Sequence, residues 1–261
     1  MTETPLEAWA DALEARFGGD RPVRVYRATG STQDVARVMT TSEPSPGMGA
    51  VVVADGQTAG RGRQGKAWHS PPGKGLALSV AVASVRASDR LSLAVGVTLA
   101  EALDRWLVPA GRSTGIKWPN DLVVDGRKLG GVLVEAAEGF AVVGVGLNVG
   151  VASDDLPDGL RDAATSLSIC GASADRLDVL LDAVAAIDRA AAGIDDDALR
   201  AAWSRRCETL GRDVRLTCDG EVVAGRVMEI DPDAGLVVRR PDGEVVRLRA
   251  ATTSVIETAG N

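Results

Sequence analysis

Apolar residues along this chain alternate between a helical rhythm and short unbroken runs. Leu6, Trp9, Leu13 and Phe17 fall near one helical face that Gly18-Gly19 would end. Thr4, Pro5 and Glu7 read as the cap, first turn and capping box of that helix. A strand is predicted over about 23–28. Gly30-Ser31-Thr32-Gln33 then turns into a short helix carrying Val35, Val38 and Met39. Ser31 or Thr32 is either its N-cap or a ligand contact. The stretch 41–49 is a loop rich in Pro, Ser and Gly. The runs 50–54 (AVVVA) and 76–83 (LALSVAVA) are apolar, as buried strands are. The helical period returns over 90–107 through Leu91, Val95, Leu99, Ala102 and Trp106. A brief strand follows at 116–119. Strands at 121–124 and 128–135 then flank Asp125-Gly126, a strong hairpin signal. The strand 140–149 is interrupted by Gly144 and Gly146, and glycines inside a strand often mark close approach of a ligand or backbone. An acidic loop at 151–164 and helices at 176–192 and about 197–207 complete this part.

From Gly211 the character changes. Short β runs are separated by Asp219-Gly220, the PDAG turn at 232–235 and Asp242-Gly243. Four or five strands joined by tight turns predict a small antiparallel barrel. Val246 and Leu248 alternate with Arg247 and Arg249, as on a sheet with one wet face. The fold class is therefore α+β: a mixed β-sheet flanked by helices over 1–208, then a small C-terminal β-barrel over 209–261.

Composition narrows the functional classes. The 261 residues carry 29 Lys+Arg against 36 Asp+Glu, a net charge of −7 that argues against a general nucleic-acid binder. One helix before the first strand leaves no room for a helix-turn-helix module. Cys170, Cys207 and Cys218 show no CxxC spacing, which fits reduced thiols in a cytoplasm. No apolar run reaches membrane-spanning length, and the acidic N-terminus lacks a signal-peptide pattern. The expectation is a cytoplasmic protein with neither nucleic-acid nor membrane partners.

Against that acidic background, residues 56–75 read GQTAGRGRQGKAWHSPPGKG, with six glycines, two arginines, two lysines and the single histidine. No acidic residue occurs from Gly56 through Ser88. A glycine-rich, cation-rich loop is a candidate cradle for an anion such as phosphate. Gly60 to Gly65 matches GxGxxG, but a dinucleotide site needs a helix to open there, and Pro71-Pro72 with Gly73 and Gly75 forbid one. No GxxxxGK[ST] phosphate loop is present. On a locally extended chain, Arg61 and Arg63 would face the same side. Trp68 offers a flat face for a base or ring, or a plug that holds the loop down. A second stretch, Lys117-Trp-Pro-Asn120-Asp121 followed by Arg127-Lys128-Leu-Gly-Gly131, adds cations, an amide and a carboxylate. Together these make up the inventory of a nucleotide-using site.

GRGRQGKAWHSPPGKGLALS with KWPNDLVVDGRKLGGVLVE resembles the biotin protein ligases, and GSTQD, GVGLNV and the small C-terminal β-domain extend the likeness. The resemblance covers nearly the whole chain from about Val23. It implies a class II aminoacyl-tRNA synthetase/biotin ligase-like catalytic domain, an SH3-like C-terminal barrel, and a short form without the repressor domain. It also implies activation of biotin by ATP, with Mg²⁺, to biotinyl-5′-AMP. Transfer to a lysine of the biotin carboxyl carrier domain of an acyl-CoA carboxylase would follow. Carried over by motif, the biotin contacts would be Ser31, Thr32, Gln33, Gln57, Gly60, Arg61, Gly62, Arg63, Lys128, Gly131 and Gly144. The ATP and adenylate contacts would be Arg63, Trp68, Lys117, Asn120, Lys128 and Asn148. Lys128, Arg63 and Arg61 would offset charge in the reaction. Asp121 is a candidate base, with a structural or Mg²⁺-linked role as its alternative; no metal ligands are assigned. The competing readings are a lipoate–protein ligase and a non-catalytic anion sensor.

Overall fold

The computed structural model describes residues 4–18, 21–41, 49–83, 88–233 and 235–258. A seven-stranded mixed sheet carries the first part of the chain. Its strands are β1 (Val23–Thr29), β2 (Val51–Gln57), β3 (Gly75–Ala83), β4 (Gly115–Lys117), β5 (Asp121–Val124), β6 (Arg127–Ala137) and β7 (Phe140–Asn148). Their order is β1-β2-β3-β7-β6-β5-β4, with β1 and β2 parallel and the other pairs antiparallel. The helices are α1 (Trp9–Phe17), α2 (Thr32–Thr41), α3 (Ser88–Leu107), α4 (Arg176–Ala192) and α5 (Asp196–Arg206). Among the described residues no helix is long and apolar enough to cross a membrane. Most of the Pro/Ser/Gly stretch at 41–49 lies outside the described residues, as does Gly19.

Successive side chains of a strand point to opposite faces, so the two faces of this sheet separate cleanly. Leu76, Leu78 and Val80 of β3 and Ala141, Val143, Val145 and Leu147 of β7 join the main core with α3 and α4. The opposite face holds a smaller cluster, in which Val52, Phe140 and Val142 meet Ala36 and the flanking Val35 and Met39 of α2. Along that face the side chains then shrink. Ala77 pairs with Gly146 and Gly146 with Gly131; Ser79 pairs with Gly144 and Gly144 with Leu133. Two adjoining cross-strand rows are thus nearly bare, and they leave a hollow beside the first turn of α2.

The last five strands are β8 (Asp213–Cys218), β9 (Glu221–Asp231), β10 (Gly235–Arg239), β11 (Val245–Leu248) and β12 (Thr253–Thr258). They form an antiparallel sheet ordered β11-β10-β9-β8-β12, a four-strand meander whose fifth strand returns beside the first. This is the small antiparallel C-terminal β-domain expected, with no pairing between β11 and β12 among the described residues. Its interior is continuous with the main core through Trp203, Leu216, Ile230, Leu236 and Leu248.

One local expectation fails. No capping box opens the first helix: a 3-10 turn at Leu6–Ala8 precedes α1, and neither N-cap makes a side-chain bond. Thr4 instead donates from its backbone N–H (2.9 Å) and its hydroxyl (3.2 Å) to Asp175, the N-cap of α4. Glu7 pairs with Arg27. A tertiary partner outcompetes the local cap, as Ser, Thr and Asp side chains permit.

Candidate functional site

The bare rows of the sheet form the floor of a cavity with about 1020 Å³ of empty space, its open mouth included. One wall is the first turn of α2. Thr32 donates its backbone N–H (2.8 Å) and hydroxyl (3.2 Å) to Gln57 Oε1, and its hydroxyl lies 2.8 Å from that of Ser79. Gln33 Nε2 donates to Glu135 Oε2 at 3.2 Å, whereas the buried Gln33 Oε1 has no partner. A Cβ on Gly144 would lie 2.8 Å from that oxygen, so the glycine makes room for the amide.

The glycine-rich loop forms the roof. Gly62 N–H donates to Lys66 C=O (2.7 Å) and Trp68 N–H to Gly60 C=O (2.9 Å), so the loop folds back on itself. Trp68 then lies on β7 where side chains are missing. A Cβ on Gly146 would come within 2.7 Å of the indole Nε1, a buried donor without a partner. The Lys128 ammonium stands 5.6 Å from the Trp68 ring centroid, a cation–π distance. Lys128 also pairs with Asp121 at 2.6 Å. Its strand is pinned from outside by Lys128 N–H to Ala163 C=O and Thr165 N–H to Lys128 C=O, each 2.8 Å.

Arg61 and Arg63 do not act as a matched pair. The extended-chain expectation fails because Arg63 opens a 3-10 turn, Arg63–Gly65, in which Gln64 has φ of 55°. Arg61 holds Asp34 through two bonds of 2.7 and 3.0 Å, reaches Glu135 at 3.2 Å and touches the Ser31 hydroxyl at 3.2 Å. The hydrogen bond to Asp34, opposed by burial and reinforced by Glu135, raises the Arg61 pKa still further; the same bond holds Asp34 below its ordinary value. Arg63 instead crosses to the C-terminal sheet. It donates to the carbonyls of Thr253 (3.1 Å), Ala251 (3.0 Å) and Ala250. Burial pushes its pKa down, against the pull of Asp89 and Asp121. Carbonyl dipoles do not neutralise a cation, so Arg63 keeps charge to offer an anion.

Fourteen of the expected contacts therefore line one cavity: Ser31, Thr32, Gln33, Gln57, Arg61, Gly62, Arg63, Trp68, Lys117, Asn120, Asp121, Lys128, Gly131 and Gly144. Two do not. Gly60 lies behind the wall, where a Cβ would meet Gln57 Nε2 at 2.9 Å. Asn148 is buried and donates to Thr165 C=O at 2.9 Å, a structural bond. Asn120 lines the cavity, but its amide donates to Val132 C=O at 2.6 Å. The sequence reading noted Gly146 as a strand glycine but did not assign it to the site, and it missed Ser79 and Glu135, together with Ser254 and Val255 of the C-terminal sheet. The GVG spacing signalled Gly146; nothing local signalled Glu135 or the last two. Among the described residues no three of His, Cys, Asp and Glu cluster to hold a metal ion. The cavity's Asp121 and the adjoining Glu135 are each already paired with a cation.

The profile of the Biotin/lipoate A/B protein ligase family matches residues 26–151. The chain is 37% identical over 178 residues to the Bifunctional ligase/repressor BirA of Bacillus spizizenii, covering 63% of this chain but 53% of that protein. It is 32% identical over 217 residues to the Biotin--[acetyl-CoA-carboxylase] ligase of Paracoccus denitrificans, covering 77% of this chain and 90% of that one. The biotin protein ligase from Aquifex aeolicus, solved in complex with biotin and ATP, superposes with a TM-score of 0.75 at 26% identity, over 90% of this chain and 98% of that one. The chain thus spans about half the length of the Bacillus relative and nearly all of the Paracoccus one. On the near full-length Paracoccus relative, the chain belongs to the biotin protein ligases.

Proposed function

We propose that this chain activates biotin with ATP and passes it to a carrier protein. The observation that carries this reading is the pairing of two environments in one cavity. Thr32, Gln57 and Ser79 make a neutral, hydrogen-bonding side, suited to an uncharged ring with polar edges. Arg63 and Lys128 make a cationic side, suited to a carboxylate and a phosphate. The Aquifex relative was solved with both substrates.

In the first step a biotin carboxylate oxygen attacks the α-phosphorus of ATP. The bond to pyrophosphate breaks, and biotinyl-5′-AMP remains. Two unit charges about 4 Å apart repel by roughly 4 kcal/mol at an effective dielectric of 20. Lys128 and Arg63 offset that repulsion and the charge that builds up in transfer. Arg61 is spent differently: matched by Asp34 and Glu135, it fastens the loop to α2 and β6. In the second step a carrier lysine attacks the acyl carbon and AMP leaves. Freeing an ordinary lysine amine of its proton at pH 7 costs about 4.6 kcal/mol. Asp121 orients Lys128 and is the cavity carboxylate assigned to receive that proton. Asp121→Asn is expected to slow transfer from preformed adenylate; an unchanged rate across pH would remove it from the proton path. Magnesium would arrive with the nucleotide phosphates, which need few protein ligands, and no step is assigned to it.

Six glycines make residues 56–75 costly to order, so bound ligand should strengthen the closed arrangement that Arg61, Arg63 and Trp68 hold. Closure would shield the anhydride from water. Protease cleavage within 60–66 should then fall when biotinyl-AMP is bound. Residues 1–208 form the catalytic unit on this reading, and 209–261 a smaller domain that supplies Ser254, Val255 and the Arg63 carbonyls. The decisive assay offers the chain ATP, labelled biotin or lipoate, and an apo carrier domain. Covalent biotin is the expected result. Covalent lipoate would reassign the ring specificity, and no transfer of either label would point to a non-catalytic sensor.

A further inference from the structure

Both stems of the glycine-rich loop meet one buried side chain that lies outside the ligand cavity. The Arg176 side chain, at the start of α4, is 9% exposed. Its guanidinium donates to Asp55 Oδ1 near the end of β2, where the chain leaves for the loop. It also donates to Gly75 C=O (3.2 Å), where the chain returns as β3. Asp55 Oδ1 closes the triangle by accepting from Gly73 N–H at 2.8 Å. The outgoing strand, the returning strand and the last turn of the loop are therefore tied at a single point.

That point is braced from behind. The Trp9 ring of α1 is fully buried, with its centroid 5.1 Å from the Arg176 guanidinium carbon. Asp175, beside Arg176, accepts from Leu177 N–H (2.7 Å) and from Thr4 N–H (2.9 Å). Neither Arg176 nor Asp55 lines the cavity. A buried ion pair adds little net stability over apolar packing, because desolvation offsets attraction. What it does supply is registry: one guanidinium nitrogen, Nη1, donates to both stems and so holds them to a single point.

We infer that Arg176 is a positioning residue: it sets where the two stems of the 56–75 loop emerge, and so where Arg63 and Trp68 come down on the ligand. This rests on the biotin-activating reading of the site. A loop whose ends are fixed can close in only a few ways, whereas one with a loose stem spreads over many. Lysine at 176 keeps the charge, but its ammonium stops one bond short of Nη1 on a flexible stem, so it separates charge from positioning.

The test compares wild type, Arg176→Lys and Asp55→Asn in steady-state pyrophosphate exchange and in release of preformed biotinyl-AMP. In Arg176→Lys the KM for biotin should rise about tenfold and biotinyl-AMP should escape about tenfold faster, with kcat changed by no more than about twofold. Asp55→Asn keeps an acceptor oxygen and should shift both quantities in the same direction by less. A folded Arg176→Lys with wild-type KM and escape rate would overturn the inference, as would a fall in kcat alone. Should Arg176→Lys fail to fold, Asp55→Asn decides by the same two readouts. Wild type that makes no biotinyl-AMP would instead overturn the reading of the site, which the wild-type arm shows separately.

Discussion

On the face of the central sheet that α3 and α4 cover, β3 and β7 present Leu76, Leu78, Val80, Val143, Val145 and Leu147. On the other face the same two strands present Ala77, Ser79, Gly144 and Gly146. The first face is filled, and it anchors the fold. The second is hollowed beside the first turn of α2, and polar groups enter the gap from α2 and the loop. Backbone geometry is the same on both sides, so side-chain volume alone separates core from site. Residues of one strand therefore have different jobs at odd and even positions, and substitutions should sort by face.

The largest effect is expected on the filled face. Leu76→Ala removes a fully buried side chain and should cost about 3–5 kcal/mol of unfolding free energy. Denaturant melts would show this; a cost below about 1 kcal/mol would mean that the core tolerates a cavity there. On the hollow face Lys128→Ala should leave the melt almost unchanged and lower pyrophosphate exchange about a hundredfold, or about 2.7 kcal/mol of barrier. Normal exchange in that variant would remove Lys128 from the chemistry. Gly146→Ala tests the hollow directly. Its Cβ must displace Trp68, since 2.7 Å to the indole nitrogen is too close. The KM for ATP should rise about tenfold, equivalent to about 1.4 kcal/mol, with stability retained. If KM stayed put, Trp68 would be a plug and no part of the ligand surface.

How much of this could be read from the chain depended on sequence distance. The helix 176–192 matched α4 to the residue, and the hairpin at Asp125-Gly126 held, because period and turn chemistry are local. The loop and the lysine hairpin were legible as the two halves of a site because each is a continuous segment. Gly131, Gly144 and Gly146 stood out singly. That they form adjoining rows with Ala77 and Ser79 follows only from strand register, which no single segment encodes. The partners of Arg63 are 187 to 190 residues away and are backbone carbonyls, which leave no trace in side-chain identity. Thr4 looked like a local cap for the same reason: its partner, Asp175, is 171 residues distant.

The two loop arginines carry the contrast between filled and open down to single charges, and acid should tell them apart. Asp34 is held below its ordinary 3.8 by its hydrogen bond from Arg61. A depressed carboxyl adds stability that is complete above the unfolded-state value and is lost as pH falls through the lower folded one. The Arg61 clamp is therefore intact at pH 7 and at pH 5, and it fails only below about pH 4. Asp34 is 61% exposed in this pair, so screening keeps the contribution to about 0.5 kcal/mol or less. Asp34→Asn should melt slightly below wild type at pH 7 and pH 5, with the gap closing under about pH 4. Arg63 has carbonyl partners that do not titrate, so its hold on the C-terminal sheet has no such acid limb of its own. A gap that instead closed between pH 5 and 7 would assign the loop's acid sensitivity to a group other than Asp34.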